Sequence, residues 1–258
     1  MTDPMPGTLG TSSSRVLGGR VLHFRELDST SDEARRRSGD PASHGLAIVA
    51  DRQTAGRGQY GRVWESPQSL GLLLSVLVFP PETLRRPATL TALAAVAVRQ
   101  TIFDLTGLPA TIKWPNDILI DGRKVCGILC ETAGAAAIVG IGLNVLHSRD
   151  EFDRRGLPHA TSLAIETANP PTIAEVADRL LTHLDEDFAA LAAGDIVPLE
   201  HRWRAGLNPS GGPIEIDLHT GETVAGRLTH LSLNSLDLEL PGGGRVSFSP
   251  ERIRHVRT

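Results

Sequence analysis

Three short segments of this 258-residue chain concentrate groups that handle anions. The first, residues 51–64 (DRQTAGRGQYGRVW), sets Arg57 and Arg62 among Gly56, Gly58 and Gly61. Glycines let backbone N–H groups approach an anion closely and arginines add forked donors, so such a loop suits a phosphate or a carboxylate. A solvated surface loop would share the same composition. The glycines spell G-x-G-x-x-G, but a dinucleotide fingerprint needs a helix opening at the third glycine. Here the chain runs through Ser-Pro and Ser-Leu-Gly into an aliphatic run, and that reading fails.

The second segment, 113–131 (KWPNDILIDGRKVCGILCE), puts Lys113, Asn116 and Asp117 in one tight turn. A carboxylate beside bound phosphates is a common way to hold Mg²⁺, which takes few protein oxygens and several from its substrate. Lys124 borders an otherwise apolar strand, where a lysine either has a partner or snorkels from the strand end. The third segment, 140–145 (GIGLNV), is a strand ending in a turn, or an Asn144 placed to touch a nucleotide.

Regular elements must hold these segments in place. A short strand begins at Val21, and a helix is expected from Ser31, because Thr30 and Glu33 have capping-box spacing. Buried strands are expected at 46–50 and 70–79, with the stretch 54–69 between them a long loop. Residues 90–105 read as a central helix. Short strands follow at 110–113, 118–120, 125–131 and 136–142, with Asp121–Gly122 as a hairpin turn. Apolar residues from Ile173 to Leu191 recur every three or four positions, as in an amphipathic helix. Beyond about residue 207 the pattern changes to short alternating strands (IEIDL, TVAGRLTHL, SLDLEL, RVSFS, IRHV), the signature of a small β-barrel.

The bulk numbers exclude some functions. The balance of 26 basic against 30 acidic residues, a net −4, argues against nucleic-acid coating. No apolar run is expected to span a bilayer, and residues 1–20, rich in Gly, Ser, Thr and Pro, read as a disordered tail without a signal segment. That stretch is also too short for a three-helix DNA-binding module. Cys126 and Cys130 sit four apart on a strand, roughly 13 Å at about 3.3 Å per residue. That separation rules out a disulfide between them, and buried free thiols fit a reducing cytoplasm.

Taken together, DSTSDEA (28–34), QTAGRGQYGRVW (53–64), KWPNDI (113–118), GRKVCGIL (122–129) and GIGLNV (140–145) resemble the bacterial biotin–protein ligases in order and spacing. The resemblance covers about residues 21–207 and extends to an SH3-like C-terminal piece. It implies an α+β fold: a mixed-sheet catalytic domain (21–207) flanked by helices, of the class II aminoacyl-tRNA synthetase-like type, and a small SH3-like barrel (208–258). It implies that the chain activates biotin with ATP and Mg²⁺ and transfers it to a lysine of a biotin carboxyl carrier domain. No DNA or membrane partner is expected, and the chain is expected to be a cytoplasmic monomer or weak homodimer.

Residue by residue, Ser29, Thr30, Ser31, Gln53, Gly56, Arg57, Gly58, Gln59, Trp64, Lys124 and Gly127 fall at biotin-site positions. Arg62, Trp64, Lys113, Asn116 and Asn144 fall at ATP-site positions, and Asp117 at the magnesium position. Lys124, Arg57, Arg62 and Lys113 would carry the catalysis. Two positions depart from the family pattern: Ser31 stands where Asn is usual, and Gln59 where many members have an arginine that helps retain the activated intermediate. Related lipoate or octanoate transferases share the fold and remain an alternative, as does a catalytically silent biotin binder.

Overall fold

The computed structural model describes residue 5 and residues 14–64, 69–207 and 213–257, with residue 83 as backbone alone. Most of the expected N-terminal tail, the Ser-Pro pair at 66–67 and the pattern change at 209–212 lie outside the described residues.

Two sheets form. The larger takes strands β1 (Val21–Phe24), β2 (Ala47–Ala50), β3 (Gly71–Val78), β4 (Thr111–Lys113), β5 (Asp117–Ile120), β6 (Arg123–Ala133) and β7 (Ala136–Asn144). Their spatial order is β1-β2-β3-β7-β6-β5-β4. Only β1 and β2 run parallel, so the sheet is mixed, as expected. Helix α1 (Thr30–Arg37) packs on one face and α2 (Pro87–Thr106) on the other. Helices α3 (Arg149–Arg154), α4 (Leu163–Glu166), α5 (Ile173–Ala192) and α6 (Val197–Leu207) follow; α5 and α6 both pack on α2.

The second sheet is antiparallel, in the order β11-β10-β9-β8-β12. It comprises β8 (Pro213–Leu218), β9 (Thr223–Leu231), β10 (Leu236–Glu239), β11 (Arg245–Phe248) and β12 (Ile253–Arg257), the expected small β unit.

Alternation along β3 explains the layering. Leu72, Leu74, Val76 and Val78 join the α2 side of the core, while Leu77 joins Ile48 and Ala34 on the α1 side. Pro87 in the first turn and Gly107 at φ +71° bound α2. By length and composition α2 could cross a bilayer, contrary to the sequence expectation, but it lies buried at the centre of the core. Asp121 and Gly122, both at positive φ, make the expected β5–β6 turn.

Three expectations need correction. The N-cap of α1 is Ser29, whose hydroxyl accepts from the N–H groups of Ser31 and Asp32. Thr30 cannot cap because its hydroxyl is used elsewhere, and Glu33 instead binds Arg36 and Arg37. Helix α6 escaped the sequence reading because Pro198 and Gly206 interrupt its pattern; Trp203 anchors it against Trp114, with ring centroids 5.7 Å apart. The last residues of the expected tail also pack. Leu17 is 1% exposed, Asp185 accepts the N–H groups of Val16 and Leu17, and Arg15 pairs with Asp178.

Leu17→Ala should therefore cost about 2–4 kcal/mol in chemical denaturation, as for other buried leucines. A loss below about 0.5 kcal/mol, typical of surface substitutions, would show that this segment adds nothing to the core.

Candidate active site

Glycines open a cleft in the α1-facing side of the large sheet. Along β7, Ile141 and Leu143 point into the core while Gly140 and Gly142 face the other way. Gly127 of β6 pairs with Gly142, extending a floor that carries no side chains. The indole of Trp64 lies on this floor: a Cβ at Gly142 would come 2.4 Å from it, and one at Gly127 2.8 Å. The cleft holds about 260 Å³.

Lys124 reaches this floor only through a bulge. Residues 124 and 127 are an odd number apart, so regular pleating would place them on opposite faces. Val125 is an extra residue, since Ile118 pairs with Cys126 and Leu119 with Lys124. Val125 and Cys126 consequently both enter the core, and Lys124 turns to the cleft. The Lys124 backbone bonds to the strand-like segment at 159–161. Its ammonium sits 2.6 Å from Asp117 Oδ1 and 5.5 Å from the Trp64 ring centre.

At one end of the cleft is a buried hydroxyl network. Ser75 Oγ meets Thr30 Oγ1 at 2.8 Å and Ser31 Oγ at 3.0 Å, and Gln53 Oε1 accepts from the Thr30 N–H and hydroxyl. A Cβ at Gly140 would press to 2.9 Å from Ser31 Oγ. Towards the other end stand Lys113, Asn116 and Asp117, the last two beside the Trp114–Pro115 cis peptide.

The stretch expected as a long loop folds, from 56 to 64, into a compact hairpin. Gly58 N–H donates to Arg62 O, Trp64 N–H donates to Gly56 O, and Tyr60 takes a left-handed turn at φ +58°. Both sides of this hairpin are tethered. Arg57 makes a two-pronged bridge to Glu131 at 2.7–2.8 Å and reaches Asp32 at 2.8 Å; these partners raise its pKa, Glu131 most. On the far side, Tyr60 packs against His219 and His255, with the Arg254 guanidinium 5.2 Å from its ring.

Most sequence candidates meet here: Ser29, Thr30, Ser31, Gln53, Arg57, Gly58, Gln59, Arg62, Trp64, Lys113, Asn116, Asp117, Lys124 and Gly127 all line the cleft. Gly56 does not; it is buried at the foot of the hairpin, where a Cβ would meet Trp64 O at 2.4 Å. Asn144 also stands outside the lining, donating to Thr161 O. Asn116 lines the cleft while its amide nitrogen donates to Ile128 O. The sequence reading missed Ser75, Tyr60 and His255. A lone serine in LLLSVLV was a usable signal for Ser75; nothing local marks His255, which comes from the other sheet.

Among the described residues Asp117 is the one carboxylate lining the cleft, and it accepts Lys124. Among the described residues no group of three His, Cys, Asp or Glu side chains could hold a metal ion. The role expected for Asp117 calls for a single carboxylate oxygen beside substrate phosphates, and Asp117 lines the cleft with Oδ1 bound to Lys124.

A sequence model of the Biotin/lipoate A/B protein ligase family matches residues 24–145, the span that supplies every cleft residue except His255. The chain is 31% identical to the biotin–[acetyl-CoA-carboxylase] ligase of Mycobacterium tuberculosis, over 83% of this chain and 80% of that protein. It is 34% identical to the bifunctional ligase/repressor BirA of Bacillus subtilis over 78% of this chain, a match that spans 65% of that longer protein. The structure of Aquifex aeolicus biotin protein ligase in complex with biotin and ATP is similar with a TM-score of 0.77 and 26% identity, covering 92% of this chain and 98% of that one. The chain belongs to the biotin protein ligase family.

Gly142→Ala should push the indole of Trp64 off the floor and shift tryptophan emission to the red. Trp114 and Trp203 are buried, so the change would report Trp64. An unchanged spectrum would mean that the sheet yields and the indole stays.

Proposed function

We propose that this chain is a biotin–protein ligase, forming biotinyl-5′-adenylate from biotin and MgATP and passing the biotinyl group to a lysine of a carrier domain. The observation that carries this reading is the position of Lys124: its ammonium stands over a bare glycine floor, between a hydroxyl pocket and two cations, Arg62 and Lys113. Biotin's polar ring matches the hydroxyls of Ser29, Thr30, Ser31 and Ser75 with Gln53, and the glycine floor admits a flat bicycle. Its carboxylate then extends towards Lys124.

Activation brings two anions together. The carboxylate oxygen attacks the α-phosphorus, the bond to the bridging oxygen breaks, and pyrophosphate leaves. Lys124, Arg62 and Lys113 offset the repulsion by charge already in place. Asp117 holds one donor of Lys124 and so aims the ammonium. Magnesium enters as part of the nucleotide substrate. The carrier amine then attacks the acyl carbon, AMP departs with the bonding pair, and the amine sheds its proton.

The hairpin 56–64, with Trp64 at its end, shields the reactive anhydride from water. In this scheme Arg57 and Gly56 act on the hairpin, Gln59 lies at its tip, and Asn144 braces the end of β7. The relatives named as biotin–[acetyl-CoA-carboxylase] ligases support a carboxylase carrier domain as partner. Cys126, buried, and Cys130, half-buried, are both free thiols, which fits a reducing cytoplasm.

Purified protein incubated with biotin, MgATP and a carrier domain should add one biotin to a single carrier lysine, read by intact mass. Lys124→Ala should slow pyrophosphate release by on the order of 10²-fold. An unaltered rate would remove Lys124 from the chemistry. Transfer of octanoate or lipoate in place of biotin would favour the other branch of the family, and absence of any adenylate would favour a silent binder.

A further inference from the structure

Among the described residues the cleft carries more positive than negative charge. Its one described lining carboxylate, Asp117, is taken by Lys124, and Arg57 is taken by Glu131 and Asp32. Arg62 and Lys113 line the same cleft with no ion pair among the described residues. A further basic group joins them from the second sheet: His255 of β12, half-buried and lining the cleft.

His255 reaches the cleft by a bulge of its own. In β12, Ile253 pairs with Leu218 and His255 with Asp217, so Arg254 is the extra residue. Regular pleating would send residue 255 inward with the buried Ile253; the bulge turns it out of the barrel. The imidazole makes no side-chain hydrogen bond among the described residues. Its contact is the edge of Tyr60, at a centroid distance of 6.5 Å, and Tyr60 also touches His219. Partial burial, with the charges of Arg254, Arg62 and Lys113, holds its pKa below the usual histidine range against the opposing pull of Asp217. The ring is therefore neutral near pH 7, and an anion arriving between these cations would draw a proton onto it.

We propose that His255 completes a polyphosphate-binding site, its imidazole donating a hydrogen bond to the β- or γ-phosphate of a nucleoside triphosphate held by Arg62 and Lys113. The C-terminal barrel is then part of the nucleotide site. Tyr60 is a positioning residue that fixes the hairpin carrying Arg62 at the right distance from His255. The nucleotide is the one named in the ligase reading, and the assignment rests on that reading for ATP but not for biotin.

Calorimetric titration with inorganic pyrophosphate, a non-hydrolysable MgATP analogue, AMP and biotin tests this in wild type, His255→Gln and His255→Arg. Measurements at pH 7.5 in two buffers of different ionisation heat count the protons taken up. Wild type should take up a fraction of a proton on binding pyrophosphate. His255→Gln should bind pyrophosphate and the analogue about tenfold more weakly, the effect of one lost charge-assisted hydrogen bond. It should lose the proton uptake and bind AMP and biotin as wild type does. His255→Arg should recover the affinity without the proton.

Equal pyrophosphate affinity in wild type and His255→Gln would overturn the proposal, as would no pyrophosphate binding by wild type. A parallel loss of AMP and biotin binding in His255→Gln would show a displaced barrel and would also overturn it. Wild type that binds the analogue with His255-dependent proton uptake but ignores biotin would leave the His255 site standing and remove the ligase reading.

Discussion

The single extra residue at Val125 is the constraint on which the site depends. Pleating makes the two faces of a strand a strict alternation, so a lysine and a glycine floor three residues apart cannot share a face in a regular ladder. The bulge resolves this by sending two consecutive side chains, Val125 and Cys126, into the core. What the ladder loses there, the backbone partners at 159–161 restore, since Lys124 N–H donates to His159 O and its carbonyl accepts from Thr161. The segment after β7 is thus structural support for the lysine as well as a connection. Asp117 then sets the ammonium's direction from the neighbouring strand.

Around that point the two sides of the cleft are built by opposite means. The hydroxyl end is neutral and internally bonded, with Ser75 bridging Thr30 and Ser31. The other end gathers cations. A ligand with an uncharged polar head and an anionic tail is oriented by this contrast before any close contact forms. The hairpin 56–64 joins both, since its Arg57 is bonded to α1 and β6 while its Tyr60 rests on the barrel.

Much of this was legible in the sequence because the chemistry is carried by contiguous motifs. Fourteen of the residues read as candidates line one cleft, and the strands and the long helices appear where alternation and helical periodicity put them. What escaped is equally physical. The role of Thr30 as a cap was misread because a buried Ser75, distant in sequence, claims its hydroxyl. The loop at 54–69 hid a hairpin whose left-handed turn falls on Tyr60, a residue type that does not announce positive φ. Both bulges were invisible, because a one-residue slip leaves the composition of a strand unaltered. Nor did proximity in sequence give any hint that Lys124 would fold back onto Asp117.

The glycine floor also divides the site's evolutionary freedom. A surface made of main chain has no side chains to exchange, and at positions 127, 140 and 142 any first step away from glycine displaces Trp64 or Ser31. Drift in ligand preference is therefore confined to the walls, whose serine, threonine, glutamine and arginine side chains at 29–31 and 53–62 stand outside the strands of the floor. Lineages descending from such a site can change which acid they hold far more easily than they can change how thick it is.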